Sequence, residues 1–221
     1  MTLERERDFW KCAGKFPANK EEVYPDHAAA HGLDEFPASR RVLEYGCGGG
    51  SDAMSWARRG HAVWYCDIVS ENVASATERF ATAGLSGMPW GLPNSEDLPF
   101  VDREHFDVVS SNGVLHHIED PRPVLHAMRR TIKLSGRLIV MLYSPALRES
   151  FEQSVQNFMK MDPPLSEAEA FGWCTYGHGC PYARAYSTEQ ARELLSETGF
   201  RLLETRSSHK GMFLHHHAVP A

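Results

Sequence analysis

The 221-residue sequence predicts an α/β fold in which helices cover both faces of a mostly parallel β-sheet. Two observations support this prediction. Short apolar runs typical of buried strands alternate with helical patterns between residues 41 and 142. The first apolar run ends in a glycine-rich turn that leads directly into a helical pattern. Because a chain of this length can bury a core of its own, we expect residues 1–221 to form a single domain.

Seven segments have the composition of strands, and together they predict a doubly wound, seven-stranded sheet. In chain order they are residues 41–45, 62–66, 88–92, 106–110, 137–142, 200–206 and 212–219. About five residues separate the last two segments, which is too short for a crossover connection. We therefore expect these two segments to form a hairpin that brings an antiparallel strand into the sheet at the C-terminal end.

Helical patterns lie between and around these strands. They cover residues 51–59, 70–83, 121–132, 148–160 and 187–198. Ser70 is expected to cap the second helix, and Pro121 suits the first turn of the third. Ser187 and Gln190 have the spacing of a capping box at the start of the last helix. After residue 160 the chain becomes rich in proline, glycine and aromatic residues.

Composition and charge limit the function classes. The net charge of −6 and the lack of a dense Lys/Arg cluster give no reason to expect a nucleic-acid partner. No apolar run reaches the roughly 18 residues that span a bilayer, and residues 1–8 are mostly charged or polar. We therefore expect no membrane segment and no signal peptide, and we predict a cytoplasmic protein. Five cysteines without a C-x-x-C pair predict unpaired thiols.

Three consecutive histidines, His215, His216 and His217, lie in the last predicted strand. Strand alternation places His215 and His217 on one face and His216 on the other. A metal site is an alternative here, but we expect none.

A glycine-rich turn at Gly46, Gly48 and Gly50 follows the first strand and has the pattern G-x-G-x-G. Such a turn lies at the carboxyl edge of the sheet, where open α/β folds bind ligands. The dinucleotide pattern G-x-G-x-x-G would need glycine at position 51, where Ser51 stands, and no P-loop lysine follows. Glu44, just before the turn, favours a cationic or amine-bearing ligand over a pyrophosphate.

An acidic residue, Asp67, ends the second predicted strand, 21 residues after Gly46. A carboxylate in this place can accept hydrogen bonds from both hydroxyls of a ribose. This role suits any nucleoside cofactor, so Asp67 does not separate a nicotinamide cofactor from S-adenosylmethionine.

In five successive segments the sequence resembles class I S-adenosylmethionine-dependent methyltransferases, in the branch called methyltransferase type 11. The matching segments are residues 42–50, Asp67, residues 94–100, residues 106–117 and residues 132–137. The resemblance implies a Rossmann-like fold, S-adenosylmethionine as cofactor, S-adenosylhomocysteine as product, and methyl transfer to an oxygen, nitrogen or carbon atom. It also implies four parts: a helical cap (1–38), a cofactor-binding core (40–142), a substrate-side insertion (144–186) and a closing helix with a hairpin (187–221).

The resemblance further implies which residues hold the cofactor. They are Glu44, Gly46, Cys47, Gly48, Gly50, Asp67, Ile68, Asn94, Ser95, Glu96, Asn112 and Val114. The first five would hold the methionine moiety, Asp67 the ribose, residues 94–96 the adenine, and Asn112 would face the sulfur. Asn94 stands where the family usually has aspartate, but its amide oxygen can still accept a hydrogen bond from the adenine amine.

Catalytic candidates lie beyond the fourth and fifth strands. His116 and His117 follow the fourth strand, and an imidazole can remove a proton from an acceptor hydroxyl near neutral pH. His178 and Tyr143 are further candidates. The acceptor is expected to contact Tyr24, Trp173, Tyr176, Tyr182 and Arg184, mostly from the aromatic stretch 171–186. Arg184 could pair with an acidic acceptor group or with a neighbouring carboxylate.

The acceptor is expected to be a small molecule, such as a specialised metabolite. The segment 110–113 lacks the Asn/Asp-Pro-Pro-aromatic pattern of enzymes that methylate base or glutamine amides. Two alternatives remain from other classes: an NAD(P)-binding Rossmann oxidoreductase and a non-catalytic, methyltransferase-like binding subunit. The chain is expected to be a monomer or a homodimer.

Overall fold

The computed structural model describes residues 3–12, 20–98 and 104–221. Within these ranges the strands are β1 (Arg41–Tyr45), β2 (Ala62–Asp67), β3 (Met88–Gly91), β4 (Phe106–Asn112), β5 (Ile132–Tyr143), β6 (Phe200–Ser208) and β7 (Phe213–Pro220). They form a seven-stranded sheet in the order β3-β2-β1-β4-β5-β7-β6. The pairs from β3 to β5 are parallel, and β7 is antiparallel to both β5 and β6. This arrangement confirms the predicted fold and the closing hairpin.

Helices connect and cover these strands. The described helices are α1 (Leu3–Cys12), α2 (Lys20–Val23), α3 (Pro25–His31), α4 (Ser51–Arg58), α5 (Ser70–Thr82), α6 (Arg122–Thr131), α7 (Pro145–Ser150), α8 (Glu152–Met159), α9 (Glu167–Tyr176) and α10 (Thr188–Glu197). The capping box predicted at Ser187 and Gln190 begins α10. The predicted N-terminal cap is mostly helical where it is described, in α1, α2 and α3.

Two predictions about helices were wrong, and one helix was not predicted. The pattern at 148–160 forms two helices, α7 and α8, because the backbone leaves helical geometry at Phe151. Ser70 does not cap α5: it lies in the first turn, and its hydroxyl donates to Glu71. Helix α9, inside the aromatic stretch, was not predicted, although Ser166 and Glu169 form a capping box at its start.

Alternate residues of the central strands face two separate hydrophobic cores. On one face Leu43 belongs to a core that includes apolar residues of α6 and α10. On the other face Val42 belongs to a core that includes apolar residues of α4 and α5. A third cluster, around Tyr143 and Phe171, joins the end of β5 to the helices of the insertion. Both faces of the sheet are therefore covered, which leaves its carboxyl edge open for a site.

The three consecutive histidines lie at the fully buried centre of β7. His215 lies with its Nδ1 atom 3.2 Å from Nδ1 of His31, so it joins the strand to helix α3. His216 contacts the Thr205 hydroxyl of β6 at 2.9 Å, and His217 donates to the Ala30 carbonyl at 2.9 Å. These contacts tie β7 to its neighbours on both sides.

Among the described residues, one group could bring three ligand atoms close enough for a metal ion: Glu35, Glu204 and His217. Arg206 already forms ion pairs with both of these carboxylates. The same part of the chain contains no helix long and apolar enough to cross a membrane. The four described cysteines are free thiols.

The buried histidines make the stability of the fold depend on pH. Burial lowers the pKa of His216 and of His117 to about 4, below their ordinary value. Between about pH 6.5 and pH 4 the unfolded chain therefore binds more protons than the folded chain. We predict that the unfolding free energy is constant above pH 6.5 for these groups and falls as the pH drops to 4. The loss is up to about 3 kcal/mol for each histidine.

Urea unfolding at several pH values between 4 and 7 measures this dependence. Carboxylates titrate in part of the same range, so the comparison is with His216→Gln, which cannot titrate at that position. The variant should lose less stability than the parent chain between pH 6.5 and pH 5. Equal losses in both chains would show that His216 does not contribute.

Candidate functional site

The glycine-rich turn is fixed to the end of the neighbouring strand. The backbone N–H groups of Gly46 and Cys47 both donate to the Cys66 carbonyl, at 2.9 Å. Gly46 has a φ of +72°, and a Cβ atom there would overlap the Val114 side chain. Gly48 has a φ of +49°, and a Cβ atom there would meet no described atom within 4 Å. The turn therefore packs tightly on one side and leaves its backbone open on the other.

A cavity of about 190 Å³ lies against this turn at the carboxyl edge of the sheet. Its lining comes from the turn, the ends of β2 and β4, and helices α1 and α9. The lining residues are Glu6, Trp10, Tyr45, Gly46, Cys47, Gly48, Gly49, Ser51, Asp52, Asp67, Ile68, Asn72, Leu92, Ser95, Asn112, Gly113, Val114, His117, Ile118 and Tyr176. The structure thus brings eight of the twelve predicted cofactor residues together, along with Gly49, which was not singled out.

Asp67 occupies the last position of β2 and faces this cavity. Its two carboxylate oxygens accept from the backbone N–H groups of Gly48 and Val69, each at 2.9 Å. Burial raises the pKa of Asp67, although these N–H groups oppose the shift. The Asn72 side chain and the Ile68 N–H group also stabilise the carboxylate, which lines the cavity where a ligand hydroxyl can approach it.

The segment predicted to border the adenine contributes only in part. Ser95 lines the cavity, and its carbonyl accepts from the Tyr45 hydroxyl at 2.8 Å. Asn94 and Glu96 are exposed and lie outside the lining. The Asn94 amide oxygen accepts from the backbone N–H groups of Glu96 and Asp97, so it closes a local turn. Pro99 and Phe100 lie outside the described residues.

Two more predicted cofactor residues lie outside the cavity lining. Glu44 is buried on the face of β1 opposite to Tyr45, beside its register partner Ser110. Gly50 has a φ of +79°, and a Cβ atom there would press against Ala76 of α5. Glu44 therefore lies in the interior, and Gly50 packs the turn against α5.

A polar contact fixes the side chain of Asn112, the last residue of β4. Its Nδ2 atom donates to Oδ2 of Asp52 at 3.1 Å and contacts Nε2 of His27. Asp52 comes from the first turn of α4, and His27 comes from α3. The Asn112 Oδ1 atom is buried and receives no hydrogen bond from the described residues. Nδ2 is thus held by two partners, while Oδ1 is a buried acceptor of a residue that lines the cavity.

Among the four predicted catalytic residues, His117 lines the cavity. Its Nδ1 atom lies 2.7 Å from the Tyr182 carbonyl, which can only accept, so Nδ1 carries the proton. Nε2 therefore presents a lone pair, and no described group donates to it. Burial lowers the pKa of His117 to about 4, which keeps the ring neutral at neutral pH.

The other three predicted catalytic residues lie outside the cavity lining. His116 is fully buried and stacks on Tyr143, with ring centroids 3.6 Å apart. Burial lowers the pKa of His116 and raises that of Tyr143. His178 packs against Trp173, with ring centroids 4.0 Å apart. The structure thus brings one of the four to the cavity.

Tyr176 is the predicted acceptor residue that the structure places in the cavity lining. Its ring lies 5.0 Å from that of His117, and burial, with smaller effects of Cys180 and Asp52, raises its pKa to about 12. The other four predicted acceptor residues are outside the lining: Tyr24, Trp173, Tyr182 and Arg184. The last of these lies over the Tyr186 ring.

Helix α1 supplies the part of the site that the sequence did not predict. Glu6 and Trp10 line the cavity, and the Trp10 ring contacts His117 at 4.7 Å. Arg7 holds the helix in place by donating to the carbonyls of Ile68 at 3.0 Å and Leu92 at 3.1 Å. No local pattern of the sequence showed that the Trp10 ring would reach a ligand cavity.

Comparison with known proteins gives a family model, sequence relatives and solved structures. Residues 43–140 match the family model of the methyltransferase domain. A ubiquinone biosynthesis O-methyltransferase of Xanthomonas axonopodis pv. citri is 33% identical over 104 residues, which are 47% of this chain and 43% of that protein. The match thus spans less than half the length of this curated relative.

Solved structures share the fold at low sequence identity. The magnesium protoporphyrin IX methyltransferase of Synechocystis PCC 6803, solved with bound SAH, has a TM-score of 0.67 and 16% identity, covering 99% of this chain and 94% of that one. The 1,6-didemethyltoxoflavin-N1-methyltransferase of Burkholderia thailandensis has a TM-score of 0.64 and 18% identity, covering 99% and 84%. These likenesses show the fold, and the sequence of residues 43–140, less than half of the chain, is similar to that of the methyltransferase domain family.

Proposed function

We propose that this chain binds S-adenosylmethionine and transfers its methyl group to an oxygen, nitrogen or carbon atom of a small molecule. The observation that carries the proposal is the joint placement of the glycine turn, Asp67 and Asn112 around one cavity, inside the family-matched region. The names of the relative and of the two solved neighbours support a small-molecule acceptor. We propose further that this small molecule is a specialised metabolite.

The donors and acceptors on the cavity wall suit the proposed cofactor. The open backbone beside Gly48 gives the methionine moiety a place to approach the main chain. The Asp67 carboxylate on the cavity wall suits the two ribose hydroxyls. Ser95 and Leu92 would border the adenine, and Asn112 and Val114 would lie beside the sulfur. When bound, S-adenosylmethionine supplies a methyl group on a sulfonium, which is already activated for transfer.

The residues of this chain would contribute alignment and proton removal. Trp10 and Tyr176 close the cavity beside His117 and keep water from the acceptor. Holding both reactants in line can supply roughly 7–11 kcal/mol of the barrier in favourable cases. The Nε2 lone pair of His117 can accept a proton from an acceptor O–H or N–H group. Because its pKa is low, His117 is a weak base and returns the proton readily to solvent.

We predict that Asp67→Ala weakens S-adenosylhomocysteine binding by about tenfold to hundredfold, because the ribose loses a charged hydrogen-bond acceptor. Isothermal titration calorimetry measures the affinity of each variant. Glu78→Ala, which removes an exposed carboxylate from α5, is the matched control and should bind as tightly as the parent chain. Unchanged affinity in Asp67→Ala would contradict the site, and stabilisation by NADH in a thermal-shift assay would favour an oxidoreductase instead.

We predict that His117→Ala lowers kcat by about a hundredfold and leaves the affinity for S-adenosylhomocysteine within a factor of about two. The lost group acts on the acceptor proton rather than on the cofactor. Release of S-adenosylhomocysteine during an acceptor screen measures kcat once an acceptor is found. His178→Ala, outside the cavity lining, is the control and should keep its kcat. An unchanged kcat in His117→Ala would exclude it as the base.

A further inference from the structure

Three aromatic or imidazole rings and one carboxylate lie together in the cavity lining. We call this part of the lining the acceptor end and define it by Trp10, Asp52, His117 and Tyr176, all of which line the cavity. The ring centroid of Trp10 lies 4.7 Å from that of His117 and 5.0 Å from that of Tyr176. Asn112 is hydrogen-bonded to Asp52, so its Oδ1 atom borders the acceptor end on the side of the glycine turn.

Hydrogen-bond acceptors are concentrated at this end. Nε2 of His117 carries a lone pair, because Nδ1 donates to a backbone carbonyl; Nε2 is buried, and no described group donates to it. Asp52 contributes a carboxylate that Asn112 holds in place. A buried acceptor that finds no donor is costly, so a ligand that brings an N–H or O–H group is favoured here.

The charge of the cavity is negative. Its lining contains the carboxylates of Glu6, Asp52 and Asp67, and no lysine or arginine among the residues that the structure describes. Three carboxylates in a partly enclosed cavity repel an anion, and the repulsion is stronger than it would be in open water.

The guanidinium groups of nearby arginines have backbone or aromatic partners. Arg7 and Arg79 donate to backbone carbonyls of the segments that form the cavity wall. Arg184 lies over the Tyr186 ring, with its guanidinium carbon 5.1 Å from the ring centroid. Among the described residues, none of these three arginines belongs to the cavity lining.

From these contacts we infer that the acceptor end binds a planar aromatic compound that carries an N–H or O–H donor and no negative charge. The inference rests on the proposed methyl transfer and narrows its substrate class. The rings of Trp10 and Tyr176 pack on the planar face or edge of the compound, and its donor faces Nε2 of His117. Asp52, with the other carboxylates, rejects compounds that carry a carboxylate or phosphate.

Three probes of one ring system separate these requirements. 2-Naphthol is uncharged and donates a hydrogen bond, 2-methoxynaphthalene cannot donate, and 2-naphthoate is an anion at neutral pH. Their affinities are measured by ligand-observed NMR with S-adenosylhomocysteine at saturation, and phenol, anisole and benzoate form a smaller matched set. We expect the donor to bind about tenfold more tightly than the methyl ether and the anion in at least one set.

Two variants assign the preferences to their residues. His117→Ala should remove the advantage of 2-naphthol over 2-methoxynaphthalene. Asp52→Asn, which keeps an oxygen to accept from Asn112, should strengthen 2-naphthoate binding several-fold relative to 2-naphthol binding. Glu78→Gln makes the same change of charge on the exposed face of α5 and should alter neither preference.

The inference is overturned if the anion binds as tightly as the donor in the parent chain, or if no donor of either set binds. It is also overturned if both preferences survive in His117→Ala and Asp52→Asn. Calorimetry with S-adenosylhomocysteine alone measures cofactor-site binding and so tests the proposed function separately. A chain that binds S-adenosylhomocysteine but not the donors refutes the substrate class only.

Discussion

The site depends on the hydrogen bonds that join the glycine turn to the end of β2. The Cys66 carbonyl accepts from two successive N–H groups of the turn, and the Asp67 carboxylate accepts from a third, that of Gly48. Because β1 and β2 are parallel neighbours, their carboxyl ends already lie side by side. The three bonds convert this proximity into one rigid unit. The open backbone and the carboxylate then face the same cavity at a fixed separation, as a nucleoside ligand requires.

A polar layer between helix α3 and the sheet supports the opposite wall of the cavity. His31 contacts the hydroxyl of Ser110 at 2.8 Å and the ring of His215 at 3.2 Å, both in the interior. A neutral imidazole donates through one nitrogen and accepts through the other, so these rings can join serines and each other without a buried charge. The layer fixes α3, and α3 brings His27 to Asn112. The orientation of an amide at the cavity wall thus depends on histidines that never reach the cavity.

Local patterns predicted the strands, the glycine turn and Asp67, because each depends on neighbours in sequence or on strand ends. The interpretation of Glu44 did not use strand alternation. Alternation places Glu44, the residue before Tyr45, on the face of β1 opposite to Tyr45. The start of α9 could also be predicted, because Ser166 and Glu169 have capping-box spacing. The glycines and aromatic residues that follow are not typical of a helix, so the helix was not predicted. Trp10 was different. Its place depends on tertiary contacts of α1 with distant loops, and no window of sequence contains them.

The family-matched region and the acceptor end divide the site between two parts of the chain. Residues 43–140 supply the turn, Asp67, Asp52 and His117, whereas Trp10 precedes them and Tyr176 follows them. The backbone groups that would hold a common cofactor cannot vary much, since they depend on glycines and strand ends. The aromatic walls come from helices outside the match, whose side chains can change without disturbing the turn. Selection of the acceptor can therefore change through α1 and α9, and a likeness confined to residues 43–140 identifies the donor site better than the substrate.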